Sequence, residues 1–181
     1  YYGGSSKRSM KNLDLANKRK NAWGTGLIFN HAIDSIQNVT VAAGFTREIS
    51  ENANNTSYYR NAYGLGLAYN FVHTTYGLDL ERQVTKNQGD KRTKNEVRAV
   101  VRQGLNEDWN VYAMYAYKTD KQFGDTDRTR QFMVGTEYYV YNQGSLKVKP
   151  FLEWQATRTK YENSAVDRSR DFKTVIGLRA Y

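Results

Sequence analysis

Lys94, Glu96, Arg98 and Arg102 all fall on even positions of one short segment, so an extended chain would present them on a single face. Arg is the side chain best suited to grip a carboxylate, because its planar fork donates two parallel hydrogen bonds. The same parity reading assigns Arg60, Lys118, Lys147, Lys149, Lys173 and Arg179 to the polar faces of their own segments. Asp79, Glu81, Glu96, Glu137 and Glu153 are the acids expected on those faces. A wall of this kind, mixed but weighted toward cations, could hand carboxylates from site to site. Moderate anion sites in series lower the barrier to entry and still let the solute leave. The competing expectation is that Arg and Glu pair with each other and fill the interior of a closed structural barrel.

The elements that must position these residues are strands. Tyr63-Gly64-Leu65-Gly66-Leu67-Ala68-Tyr69 alternates large apolar with small residues, the period of a sheet with two different faces. Trp109, Val111, Ala113, Tyr115 and Tyr117 form one face of a second segment, and Phe132, Val134, Thr136, Tyr138 and Val140 one face of a third. Leu146, Val148, Pro150, Leu152 and Trp154 do the same in a fourth. Nine such segments are centred near Leu27, Ala42, Leu65, Asp79, Ala99, Ala113, Gly135, Phe151 and Val175. The spacing between centres alternates short and long. Short turns are expected at 34–37, 72–74, 106–108 and 142–144, and long charged loops at 48–59, 86–94, 119–130 and 158–170. Loops sorted by length onto two rims are the signature of an antiparallel transmembrane β-barrel.

Composition agrees. The 181 residues carry 27 Lys and Arg against 18 Asp and Glu, with 15 Tyr, 7 Phe, 3 Trp, one Pro and no Cys. Many polar residues beside many aromatics suit a sheet with one face in lipid and one in water, and the aromatics argue against disorder. No run reaches the roughly 18 apolar residues of a membrane-spanning helix. The net charge of +9 favours an anionic partner. Phe71, Trp109, Tyr138 and Trp154 fall near the ends of apolar faces, where interfacial girdles belong. Gly24, Gly26, Gly64, Gly66, Gly77 and Gly135 take inward parity and would leave space inside.

The chain reads as one domain, with 1–21 expected as an extracellular loop. Strand direction adds a further expectation. The first and last segments both run toward the short-turn rim, so at least one strand must precede Leu27, and the barrel's N-terminal strands are expected to lie outside this sequence.

Asn30-His31-Ala32-Ile33, a short turn and then Val39-Thr40-Val41-Ala42-Ala43-Gly44-Phe45 resembles a hairpin of the oligogalacturonate-specific monomeric porin family, which includes the sialic-acid outer-membrane channel. Val148-Lys149-Pro150-Phe151-Leu152-Glu153-Trp154 resembles that family's penultimate strand, and Ile176-Gly177-Leu178-Arg179 its closing strand. The resemblance implies a twelve-stranded monomeric barrel in the bacterial outer membrane, of which nine strands lie here. It also implies a narrow basic lumen and passive diffusion of acidic oligosaccharides, with no cofactor and no metal. Outer-membrane lipid and lipopolysaccharide are the other expected partners.

Catalysis has little support. His31 and His73 both sit beside short turns, and no nucleophile–base arrangement can be assembled around them. Glu81, Glu137 and Glu153 could pair for hydrolysis, but carboxylates are ordinary in channel walls. A different class of function is a small structural or adhesive barrel whose Arg128, Arg130, Arg168 and Arg170 grip lipopolysaccharide or host polyanions. Nucleic-acid binding ranks below both, because it leaves the apolar strand faces without a role.

Overall fold

The computed structural model describes residues 17–52, 57–87, 89–143, 146–163 and 168–180. Nine long strands follow one another in a single antiparallel sheet, as the alternating pattern predicts. They are β1 (Asn17–Ala32), β2 (Gln37–Asn52), β3 (Ser57–Phe71), β4 (Thr74–Asn87), β5 (Asp90–Gly104), β6 (Trp109–Gln122) and β7 (Asp125–Tyr138), then β9 (Leu146–Lys160) and β10 (Arg168–Ala180). A three-residue strand, β8 (Tyr141–Gln143), pairs with β9 where β7 has ended. All neighbours pair antiparallel in sequence order, with β9 joining β7 to β10. The sheet is not closed: among the described residues β1 pairs only with β2, and β10 only with β9. Such a sheet is compatible with an outer-membrane β-barrel.

Register sorts the side chains into two faces. The row Phe29–Val41–Leu67–Leu78–Ala99–Tyr115–Phe132–Ala156–Phe172 runs unbroken across all nine long strands on one face. Leu65, Leu67, Val134, Leu152 and Leu178 on this face stay exposed, as a surface awaiting an apolar solvent would. The neighbouring row on the other face reads Ile28–Ala42–Gly66–Asp79–Arg98–Ala116–Gln131–Thr157–Asp171. This polar face is the more enclosed one, and Ala116 on it is fully buried. An ordinary soluble core, apolar inside and polar outside, is inverted here.

Phe71 ends β3 exposed, and Trp109 pairs with Tyr138 at the same rim, its indole N–H donating to the Thr136 hydroxyl. These three stand exposed at one end of the apolar face. Trp154 does not belong with them: its row, with Val134 and Thr174, lies further inside the apolar band.

The long charged loops are corrected by the ladder. Most of 48–59, 86–94 and 119–130 is strand, as are both ends of 158–170, since β2, β4, β6 and β9 run on to Asn52, Asn87, Gln122 and Lys160 and β10 starts at Arg168. Beyond the apolar band both faces carry polar residues, so hydropathy alternation disappears while backbone pairing continues. Phe123 and Gly124 turn β6 into β7 with φ of 54° and 97°, the positive pair that fits strand twist in a two-residue hairpin. What alternates along the chain is therefore the position of the apolar band within long hairpins, displaced toward one rim. The expected loop at 1–21 is corrected over its last residues, because β1 already begins at Asn17; residues 1–16 lie outside the described ones. The turn expected at 142–144 begins instead within β8.

Candidate functional site

Three charged clusters occupy the polar face, and the cross-strand register builds each of them. In the first, β4, β5 and β6 place Asp79 opposite Arg98 and Glu96 opposite Lys118. Arg98 donates to Glu96 at 2.7 Å and stands 3.9 Å from Asp79, while Lys118 reaches Glu96 at 3.2 Å. Glu81 faces Glu96 in the register and makes no ion pair among the described residues.

The second cluster gathers around Glu137, which is only 3% exposed. Lys149 donates to it at 3.2 Å, Arg179 at 3.1 Å, and Arg102 completes a three-cation clamp. Arg179 bridges onward to Glu153 at 2.5 Å, and the Tyr112 hydroxyl donates to the same Glu153 oxygen at 2.6 Å. The Tyr112 ring lies over Gly135, where a Cβ would stand 2.5 Å from the ring, and the Phe151 ring covers Gly177 in the same manner. These aromatics fill the width that glycine leaves. Arg179 stacks on Phe151 with 4.1 Å between guanidinium and ring centre. The clamp spans five strands, β5, β6, β7, β9 and β10.

The third cluster lies past the apolar band, on the strand extensions. Arg92 meets Asp120 at 2.5 Å, Lys94 stands 3.6 Å from the same carboxylate, and Arg60 lies 3.9 Å from Glu48. Burial would raise the Asp120 carboxyl, but hydrogen bonds and charge from Arg92 and Lys94 outweigh it and hold the group below the ordinary carboxylate range. A carboxyl depressed by folding stabilises the protein above its unfolded pKa, and that stabilisation disappears as pH falls through the folded one. The stability gap between wild type and Asp120→Asn should therefore be full near pH 7 and shrink as the pH falls below the ordinary carboxylate range of about 4, read from denaturant midpoints. A gap independent of pH would show that the amide fails for another reason.

The expected unpaired basic track is corrected. Arg60, Arg98, Arg102, Lys118, Lys149 and Arg179 all have carboxylate partners. Lys173 is exposed and makes no ion pair among the described residues, and the Lys147 side chain lies outside them. The physical reason is density: neighbouring strands stand ~4.8 Å apart, so inward acids and bases at matching depth cannot avoid each other. Pairing has a layered form, however. Arg102 is 42% exposed above the buried Glu137, and Lys118 equally so above the more enclosed Glu96. In these two pairs the cation is the more exposed partner, whereas Arg98 and Asp79 are equally exposed and Lys149 is buried with Glu137.

Opposite in character are β1, β2 and β3, whose inward row Gly26–Gly44–Gly64 is followed on β4 and β5 by Glu81 and Glu96. A cavity of about 460 Å³ lies against these glycines and reaches Asp79 and Arg98. A Cβ at Gly64 would meet nothing within 4 Å, so this glycine does leave space, whereas Gly135 does not. His31 is stacked beside Phe29 on the apolar face, and His73 lies in the β3–β4 turn. Glu48, Arg92, Asp120 and Tyr112 are the site residues that sequence reasoning missed. The first three fell in stretches read as loops, and extending strand parity past the apolar residues would have found them. No family model matches the chain, and no curated protein matches it in sequence.

Proposed function

We propose that the chain forms the wall of a bacterial outer-membrane channel for passive diffusion of acidic oligosaccharides. The observation that carries this reading is the pairing of exposed cationic heads with more enclosed carboxylates, Arg102 over Glu137 and Lys118 over Glu96, beside an open swath of glycine. A solute passing along that face meets guanidinium and ammonium groups first, although the wall as a whole is nearly balanced. Such groups raise the local concentration of anions, an effect that salt weakens. The resemblance to the oligogalacturonate-specific porins narrows the solute to uronate or sialic-acid-containing sugars and the barrel to twelve strands and one copy.

The test is conductance in planar bilayers. Wild type should prefer anions, and Arg98→Gln with Arg102→Gln should lower that preference by exposing Glu96 and Glu137. Neutralising Arg168 and Arg170 on the opposite face should change it less. A cation preference in the unaltered protein would sink the proposal. Liposome swelling with oligogalacturonate, sialic acid and a neutral oligosaccharide of similar size then ranks the solutes.

A second reading, a structural barrel without a path, is favoured by the Glu137 clamp, which ties five strands together as a filled interior would. Both readings put the apolar face in lipid. Leu65 and Leu67 lie between Tyr63 and Phe71 along the same face of β3, the depth of a bilayer centre. Leu67→Arg should cost about 2–4 kcal/mol, measured by equilibrium unfolding in lipid vesicles. A cost near zero would mean that water, not lipid, covers this face.

A further inference from the structure

On the apolar side of the sheet, two complete cross-strand rows of β7, β9 and β10 contain only cations: Arg128–Lys160–Arg168 and Arg130–Arg158–Arg170. All six side chains are exposed, and none makes an ion pair among the described residues. The nearby acids Asp125, Asp127 and Asp171 alternate onto the opposite face, and Glu162 is held by the backbone N–H of Thr126. Like charges directly opposite each other in a sheet destabilise it. With strands ~4.8 Å apart and same-face residues ~6.8 Å apart along each strand, six positive heads share a patch about a nanometre across. Among the described residues no carboxylate pairs with them.

The row immediately below is Phe132–Ala156–Phe172, two exposed aromatics flanking a small residue, followed by Trp154 stacked on Phe172 at 6.1 Å. A soluble polyanion would use the cations and leave this apolar row idle. A lipid with a phosphorylated headgroup would use both, phosphates on the Arg forks and an acyl chain in the notch at Ala156. The patch also lies at the rim of the protruding hairpins, the side that faces outward in outer-membrane barrels. Resting on the membrane reading above, we propose that this patch binds the phosphorylated glycolipid of the outer leaflet, lipopolysaccharide, through its lipid A phosphates.

The test uses the full chain refolded in detergent micelles, with β-structure first checked by circular dichroism. Binding of diphosphorylated lipid A should be tighter than that of its dephosphorylated form by about tenfold or more, and should weaken in high salt. Arg130→Gln, Arg158→Gln and Arg170→Gln together should abolish the discrimination. Lys86→Gln with Lys121→Gln, cations elsewhere on the same side, should preserve it. Equal binding of the two lipids, protection by inorganic phosphate or heparin equal to that by lipid A, or discrimination that survives the triple change would overturn the proposal. Loss of β-structure in every detergent and in vesicles would remove the membrane reading itself, a result distinct from a folded barrel indifferent to phosphate.

Discussion

Glu137→Gln should destabilise the protein by about 3–5 kcal/mol, the largest loss expected from any single change on the polar face. Glu137 is 3% exposed and Lys149 6%, so water has little access to either group. Removing the carboxylate charge leaves Lys149, Arg102 and Arg179 converging on a neutral amide, with Glu153 still bonded to Arg179 and the Tyr139 ring 4.1 Å from the Lys149 ammonium. Arg102 and Arg179 can swing toward solvent, being 42% and 35% exposed, but Lys149 cannot. The penalty should therefore fall mainly on Lys149, and adding Lys149→Met should recover part of it, since an apolar stem needs no counter-charge. Equilibrium unfolding of the two single variants and the double variant in vesicles measures this coupling. A single-variant loss below about 1 kcal/mol would place the pair in the range of solvated surface bridges and remove the clamp as a stabilising element.

That clamp was legible only in part. Parity alone put Lys149, Arg179, Arg102, Glu137 and Glu153 on the polar face, because side chains in a strand alternate without exception unless a bulge intervenes. Which of them meet depends on register across five strands, and register is fixed by turns. The excursion through β8, between the end of β7 at Tyr138 and the start of β9 at Leu146, has no counterpart in the hydropathy pattern. The same limit explains the loops. Arg92 and Asp120 stand on paired strands whose two faces are both polar, and Arg47 interrupts the apolar face beside Glu48, so period-two alternation is present in geometry but faint or absent in hydropathy. Glycine was misread in a third way. Gly64 and Gly135 both take inward parity, yet one borders open space and the other lies under the Tyr112 ring, a difference set by the residue across the ladder.

Gly64→Phe exploits that difference and separates a channel from a structural barrel. Gly64 sits mid-strand in β3 between Gly44 and Glu81 of the inward row, with no positive φ and nothing within 4 Å of its would-be Cβ. A larger side chain should fit without strain, and removing a mid-strand glycine should add about 0.5–1 kcal/mol of stability. The new ring would occupy the cavity of about 460 Å³ that reaches Asp79 and Arg98. If that cavity is part of a conducting path, single-channel conductance should fall severalfold while the unfolding midpoint holds or rises. Gly135→Phe is the contrasting variant. It must expel the Tyr112 ring and break the hydrogen bond to Glu153, so stability should drop with little change in conductance per folded channel. Of these two inward glycines, one variant thus lowers conductance without loss of stability, and the other lowers stability without loss of conductance. Conductance unchanged in Gly64→Phe would mean that solute does not pass along β1–β3, leaving the paired charges of the polar face with a structural role alone.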